Sequence, residues 1–119
     1  MNPAPLITTP KLLTVAAVVE LATGVALLLT PGIVSNVLLG IVGTDVTNLF
    51  ARFFGIALIA LGIACWPRPI SVGAVRAMQV YNGAIALYLA YVGVFVSSGL
   101  LLWPAVVFHS VMTLLLLRR

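Results

Sequence analysis

The stretch KLLTVAAVVELATGVALLLTP, residues 11–31, decides how the chain is read. Between Lys11 and Pro31 it carries one charged residue, Glu20, among branched and small apolar side chains. A helix of about 20 residues at 1.5 Å rise spans the ~30 Å hydrocarbon layer of a bilayer. The segment has that length and that composition, so it predicts a membrane-crossing helix over residues 11–30. A secretory signal is the competing reading of an apolar run that follows a lysine. The run is too long for an h-region, contains Glu20 and lacks a small-x-small cleavage site, so a mature span is expected.

The rest of the 119 residues follows the same pattern. Hydrophobic residues make up 63% and charged residues 7%, against roughly 25% charged in an average soluble domain. So few charges cannot cover a water-facing surface, and lipid is the expected solvent. Residues 1–10 hold Pro3, Pro5 and Pro10 and predict an extended tail. After the first span, Thr30-Pro31 reads as N-cap and first helical position of a short helix over 31–43, too short to cross and suited to the interface. Further spans are expected over 48–66, ending at Pro67-Arg68-Pro69, over 75–96, and over 100–117 after the turn Ser97-Ser98-Gly99. The expected fold is all-α: one integral membrane four-helix bundle over 11–119, with a short interfacial helix between the first and second spans. Trp66 and Trp103 fall at span ends, where indoles favour the headgroup level.

The net charge of +4 does not imply nucleic acid, because the basic residues are scattered over the ends of apolar runs. Four spans put Lys11, Arg68, Arg76, Arg118 and Arg119 on one side and Asp45 on the other. Cytoplasmic loops collect Lys and Arg, so both termini are expected in the cytoplasm, with the chain in a bacterial inner membrane. Cys65 is a lone thiol in an apolar run: it cannot close an internal disulfide, and it reads as apolar filler.

Ionisable groups within spans are costly at ~2.5–3.5 kcal/mol or more, and are therefore the informative residues. Glu20 lies nine residues after Lys11 and His109 nine before Arg118, which places both ~13 Å above the cytoplasmic edge. Asn82 is slightly lower and Gln79 a turn below it. Small residues flank each: Ala16 and Gly24 beside Glu20, Ala86 and Gly93 above Asn82, Ala105 and Thr113 beside His109. Such faces pack against other helices and not against lipid. Glu20, Gln79, Asn82 and His109, with Tyr81 and Tyr88 on one face of the third span, are the candidate polar ligand site. Each has a plainer role available: a protonated acid bonded to a neighbour, a packed histidine, interhelical amide bonds, an aromatic stripe used in packing. Gly55, Leu58, Gly62 and Cys65 form a smooth strip that reads as a close helix contact. Arg52, ~6 Å below the outer edge, is expected to snorkel or to pair with Asp45.

No phosphate-binding glycine loop, metal-ligand cluster or nucleophile–base spacing is present, which speaks against a soluble-type enzyme and a metal site. No cofactor is expected as a resident group. A quinone could occupy a slot along the tyrosines, and haem would need an axial partner besides His109, the single histidine. Partners are the bilayer, further copies of the chain or a larger membrane complex.

Over nearly its full length the chain resembles the DoxX-like group of small four-span bacterial membrane proteins. The resemblance is carried by Leu29-Thr30-Pro31, Leu38-Leu39-Gly40, Arg52-Phe53-Phe54-Gly55 and Ala60-Leu61-Gly62. It implies a four-span fold, and no catalytic residue can be carried over from it. Val19-Glu20-Leu21-Ala22-Thr23 is similar in placement to the first-helix Glu segment of the small multidrug resistance transporters, whose later Trp pattern is missing here. Three functions follow as expectations: a binding or accessory module, a proton-coupled dimeric transporter using Glu20, and an isomerase or oxidoreductase using Glu20 with His109.

Overall fold

A computed structural model describes residues 8–118, all helix and connecting loops. The five helices are α1 (Thr9–Leu29), α2 (Pro31–Leu39), α3 (Asp45–Ala64), α4 (Val72–Phe95) and α5 (Leu102–Arg118). Three of them, α1, α3 and α4, are long and apolar enough to cross a membrane, and α5 is a shorter apolar helix. The described residues are therefore all-α, with three helices whose length and composition suit a membrane.

Helix boundaries follow local chemistry. α1 begins at Thr9 with Pro10 in its first turn, where a missing N–H costs nothing. The helix thus includes the last part of the expected tail, and the remainder of that tail lies outside the described residues. Thr30 occupies the N-cap position of α2, yet its hydroxyl does not cap that helix. It donates back to Ala26 O at 2.9 Å, closing α1 instead. α2 stops at Gly40, whose φ of 69° is the left-handed conformation that glycine adopts freely. α3 starts three residues earlier than its apolar pattern, because Thr44 and Thr47 form a reciprocal capping box. Ser71 caps α4 by accepting from Ala74 N at 3.0 Å.

α1 and α3 pack antiparallel at close range. A Cβ built on Gly24 would lie 2.6 Å from Gly55 O, and one on Gly55 would lie 2.6 Å from Gly24 O. One turn-pair away, a Cβ on Gly62 would meet Leu21 Cγ at 2.7 Å and Ala17 O at 3.0 Å. Hydrogen at these positions lets the two backbones touch, and Gly55, Leu58 and Gly62 are the buried residues of α3. α4 and α5 form the second antiparallel pair, with Gly93 against Leu102 and Trp103, and Gly83 against Thr113. The pairs meet mainly where Leu12, Leu13 and Ala16 of α1 pack with Cys65, Val75, Met78, Met112 and Leu116. This core sits at the end that carries Lys11, Arg68, Arg76 and Arg118.

At the opposite end, α2 joins the two pairs. Its last carbonyls have no partner within the helix and are met by the loop between α4 and α5. Leu101 N donates to Val37 O at 2.8 Å and Gly99 N to Leu38 O at 3.0 Å. Ser97 Oγ donates to Leu39 O at 2.7 Å. The approach is too close for a side chain on the loop: a Cβ on Gly99 would stand 2.5 Å from Val37 O.

Candidate functional site: a buried polar network

Among the described residues, three polar or ionisable side chains are buried: Glu20 at 1% exposure, Asn82 at 0% and His109 at 8%. They come from α1, α4 and α5 respectively and lie just above the apolar core. The antiparallel pairing of α4 with α5 brings residue 82 opposite residue 109, while α1 runs beside α4 in the same direction and brings Glu20 to the level of Tyr81.

Asn82 organises the centre. Its amide Nδ2 donates to Met78 O at 2.8 Å, one turn back along α4. Its Oδ1 is then the atom facing His109, with Nδ1 at 2.7 Å. An amide oxygen only accepts, so His109 Nδ1 carries the proton and donates. The imidazole is held at both sides by ring contacts. Tyr81 stands edge-on to it at 6.0 Å between centroids, and Phe108 at 5.2 Å. Tyr81 is also the neighbour of Glu20. The order across the interface is Glu20, Tyr81, His109, Asn82.

Gln79 belongs to the same helix face but makes a separate bond. Its Nε2 donates to Leu116 O at 3.0 Å, tying α4 to the last turn of α5. Tyr88 does not join the network. It is 64% exposed and stacks on Tyr91 at 6.1 Å, and Tyr91 in turn contacts Phe95. Seven residues of helix return Tyr88 nearly to the face of Tyr81, yet its side chain is left exposed.

Glu20 is left with an unpaired carboxyl oxygen. Its Oε1 is fully buried and has no hydrogen-bond partner. A buried acceptor left unpaired costs about 1–3 kcal/mol, so such atoms are uncommon and point to a missing donor. No metal-binding group of His, Cys, Asp and Glu occurs among the described residues.

Comparison with protein-family models, curated proteins and solved structures gives no match. The site must therefore be judged on its own geometry.

That geometry separates the candidates. Glu20 and His109 share a level, as their distances from the terminal charges predict, yet no hydrogen bond joins them. Tyr81 lies between, so a direct carboxylate–imidazole acid/base pair is absent from this arrangement. Asp45 and Arg52 do not pair either. Arg52 Nε donates to Leu28 O at 3.2 Å, so the guanidinium closes the C-terminal end of α1, where Thr30 and Pro31 interrupt the helical ladder. This bond was not legible in the sequence, because it depends on how far α3 slides along α1. Cys65 is buried and free, in the apolar core as its context predicts.

Proposed function

We propose that the chain is a four-span membrane protein with cytoplasmic termini, serving as a non-catalytic binding module whose ligand or partner donates a hydrogen bond to Glu20. The single observation that supports this reading is Glu20 Oε1, buried and unpaired at the junction of α1 with α4 and α5. The fourth span in this reading is α5, whose 17 residues give about 25 Å, near the lower limit for crossing. The clustering of Lys11, Arg68, Arg76 and Arg118 at one end supports the orientation. The motifs shared with the DoxX-like group belong to the same four-span reading.

A binding role is preferred to an enzymatic one because His109 is committed to Asn82 and separated from Glu20 by Tyr81. The ligand must be small or must enter by separating the helix pairs, since the surface hollows at the basic end are lined by residues outside the network. The test is native mass spectrometry of the chain released from mild detergent, comparing wild type with Glu20→Gln. The variant keeps the volume of the side chain and places an amide where the carboxyl stood. A discrete adduct or partner should be retained by wild type and reduced about tenfold in the variant, because the amide oxygen still accepts but without the charge that strengthens the bond. Equal retention by both proteins would falsify the assignment to Glu20.

The same carboxyl favours a second reading, a proton-coupled transporter that works as a dimer, because an intramembrane carboxyl beside a tyrosine is a natural proton-binding group. Reconstituted vesicles distinguish it: substrate addition should drive proton movement that Glu20→Gln abolishes, whereas a binding module moves none.

A further inference from the structure

A second site lies away from the polar network, on the outer surface of the α1–α3 pair at the basic end. There Leu21, Ile63, Ala64, Trp66, Arg68 and Pro69 line a hollow of about 510 Å³. Its wall is apolar along the helices, from Leu21 of α1 and Ile63 and Ala64 of α3. The rest of its lining comes from the loop after α3, from Trp66, Arg68 and Pro69. Close packing of Gly62 against Ala17 and Leu21 brings the two helices together beside the hollow.

The charge balance says what this end must meet. The sequence holds two acidic residues, Asp45 and Glu20. Glu20 is buried in the network and Asp45 begins α3 at the opposite end. Lys11, Arg68, Arg76 and Arg118 therefore share one end with no carboxylate side chain to neutralise them, and the Arg68 side chain makes no hydrogen bond or ion pair among the described residues. Pro67 and Pro69 on either side of Arg68 fix their own φ near −65° and stiffen the loop that presents the guanidinium. An arginine held in this way is suited to a phosphate, whose oxygens match its planar donors.

An apolar trough that ends in an unneutralised arginine and an indole, at the level of the membrane surface, has the chemistry of an amphiphile with an anionic head. We infer that this hollow binds one acidic phospholipid, with its phosphate on Arg68, its glycerol region beside Trp66 and an acyl chain along Leu21, Ile63 and Ala64. The inference rests on the membrane orientation proposed above, which places this end at the lipid headgroups. It does not depend on any ligand at Glu20. Basic pockets between membrane helices on the cytoplasmic side hold acidic headgroups in this manner.

The experiment is native mass spectrometry of the whole chain titrated with phosphatidylglycerol or with phosphatidylcholine of the same acyl chains. One phosphatidylglycerol should be retained in preference to phosphatidylcholine. Arg68→Gln should weaken that retention about fivefold, the effect of one basic residue at a headgroup. Ala64→Trp, which fills the trough and leaves the charge, should weaken it for both lipids. Arg76→Gln removes an equal charge from the same end outside the hollow and should leave retention unchanged. Equal retention of the two lipids, or equal losses in Arg68→Gln and Arg76→Gln, would overturn the proposal in favour of diffuse attraction. Displacement of the lipid by inorganic phosphate would overturn it in favour of a free-anion site. Glu20→Gln should keep the lipid mass, so failure at the network and failure at the hollow are read separately. Extraction of the chain from vesicles by alkaline carbonate would instead indicate that the membrane reading itself had failed.

Discussion

Replacing Gly24 by alanine is expected to destabilise the α1–α3 pair by about 1–2 kcal/mol, measured as a lower midpoint of unfolding in mixed micelles. Two effects oppose one another. Alanine is favoured over glycine within a helix by ~1 kcal/mol. The added methyl group, however, would lie 2.6 Å from Gly55 O and 3.0 Å from Ile59 N. Those are backbone atoms of a packed helix, which cannot rotate aside, and overpacking of this kind costs about 1–3 kcal/mol or more. The clash therefore wins. Gly55→Ala should behave alike, because its methyl group would stand 2.6 Å from Gly24 O. The control is Gly32→Ala in α2, where a Cβ meets nothing within 4 Å. There the helix propensity acts alone, and stability should rise by up to ~1 kcal/mol. If Gly24→Ala and Gly32→Ala shift the midpoint in the same direction, backbone contact is not what the glycines provide.

The second large effect belongs to Asn82→Leu. Leucine keeps the branched heavy-atom skeleton of asparagine but carries bulkier methyl groups, so no cavity opens and some overpacking adds to the loss. His109 Nδ1 loses its acceptor while the ring stays buried at 8% exposure. Hydrogen bonds between membrane helices average about 0.6 kcal/mol when both partners are removed in a balanced way. Leaving one partner stranded is worse, at about 1–3 kcal/mol. The expected loss is therefore nearer 2 kcal/mol than 0.6, by the same unfolding assay. His109→Phe in the Asn82→Leu background should recover part of it, since the stranded donor is gone. A double-mutant cycle with no coupling between the two positions would remove Asn82 from its role as the anchor of His109.

Much of this arrangement is legible in the sequence, and the reasons are specific. The strip Gly55, Leu58, Gly62, Cys65 is buried as its spacing predicts, because small residues at helical period have few uses in lipid other than contact. Asn82 meets His109, with Glu20 one tyrosine away, because antiparallel and parallel neighbours of similar length preserve distances counted from the terminal charges. Rotation of each helix about its own axis is not counted in that way. The sequence therefore does not reveal that Tyr81 stands between Glu20 and His109, or that Tyr88 faces outward. Arg52 illustrates the same limit from another direction. Its charge and depth are plain from its position, while its partner, the carbonyl of Leu28, is a backbone atom that any residue supplies. Backbone acceptors leave no mark on composition.

The junction of α2 with the α4–α5 loop has a consequence for how the chain comes together. Ser97, Gly99 and Leu101 lie about sixty residues downstream of the carbonyls they satisfy. When α1, α2 and α3 have been synthesised, the donors for Val37, Leu38 and Leu39 do not yet exist. Water or lipid headgroups must hold those three acceptors in the meantime, which keeps the end of α2 at the surface. Only arrival of the last helical hairpin releases that solvent. The short helix is thus finished last although it is made early, and the same few atoms that close it also record that both halves of the molecule have met.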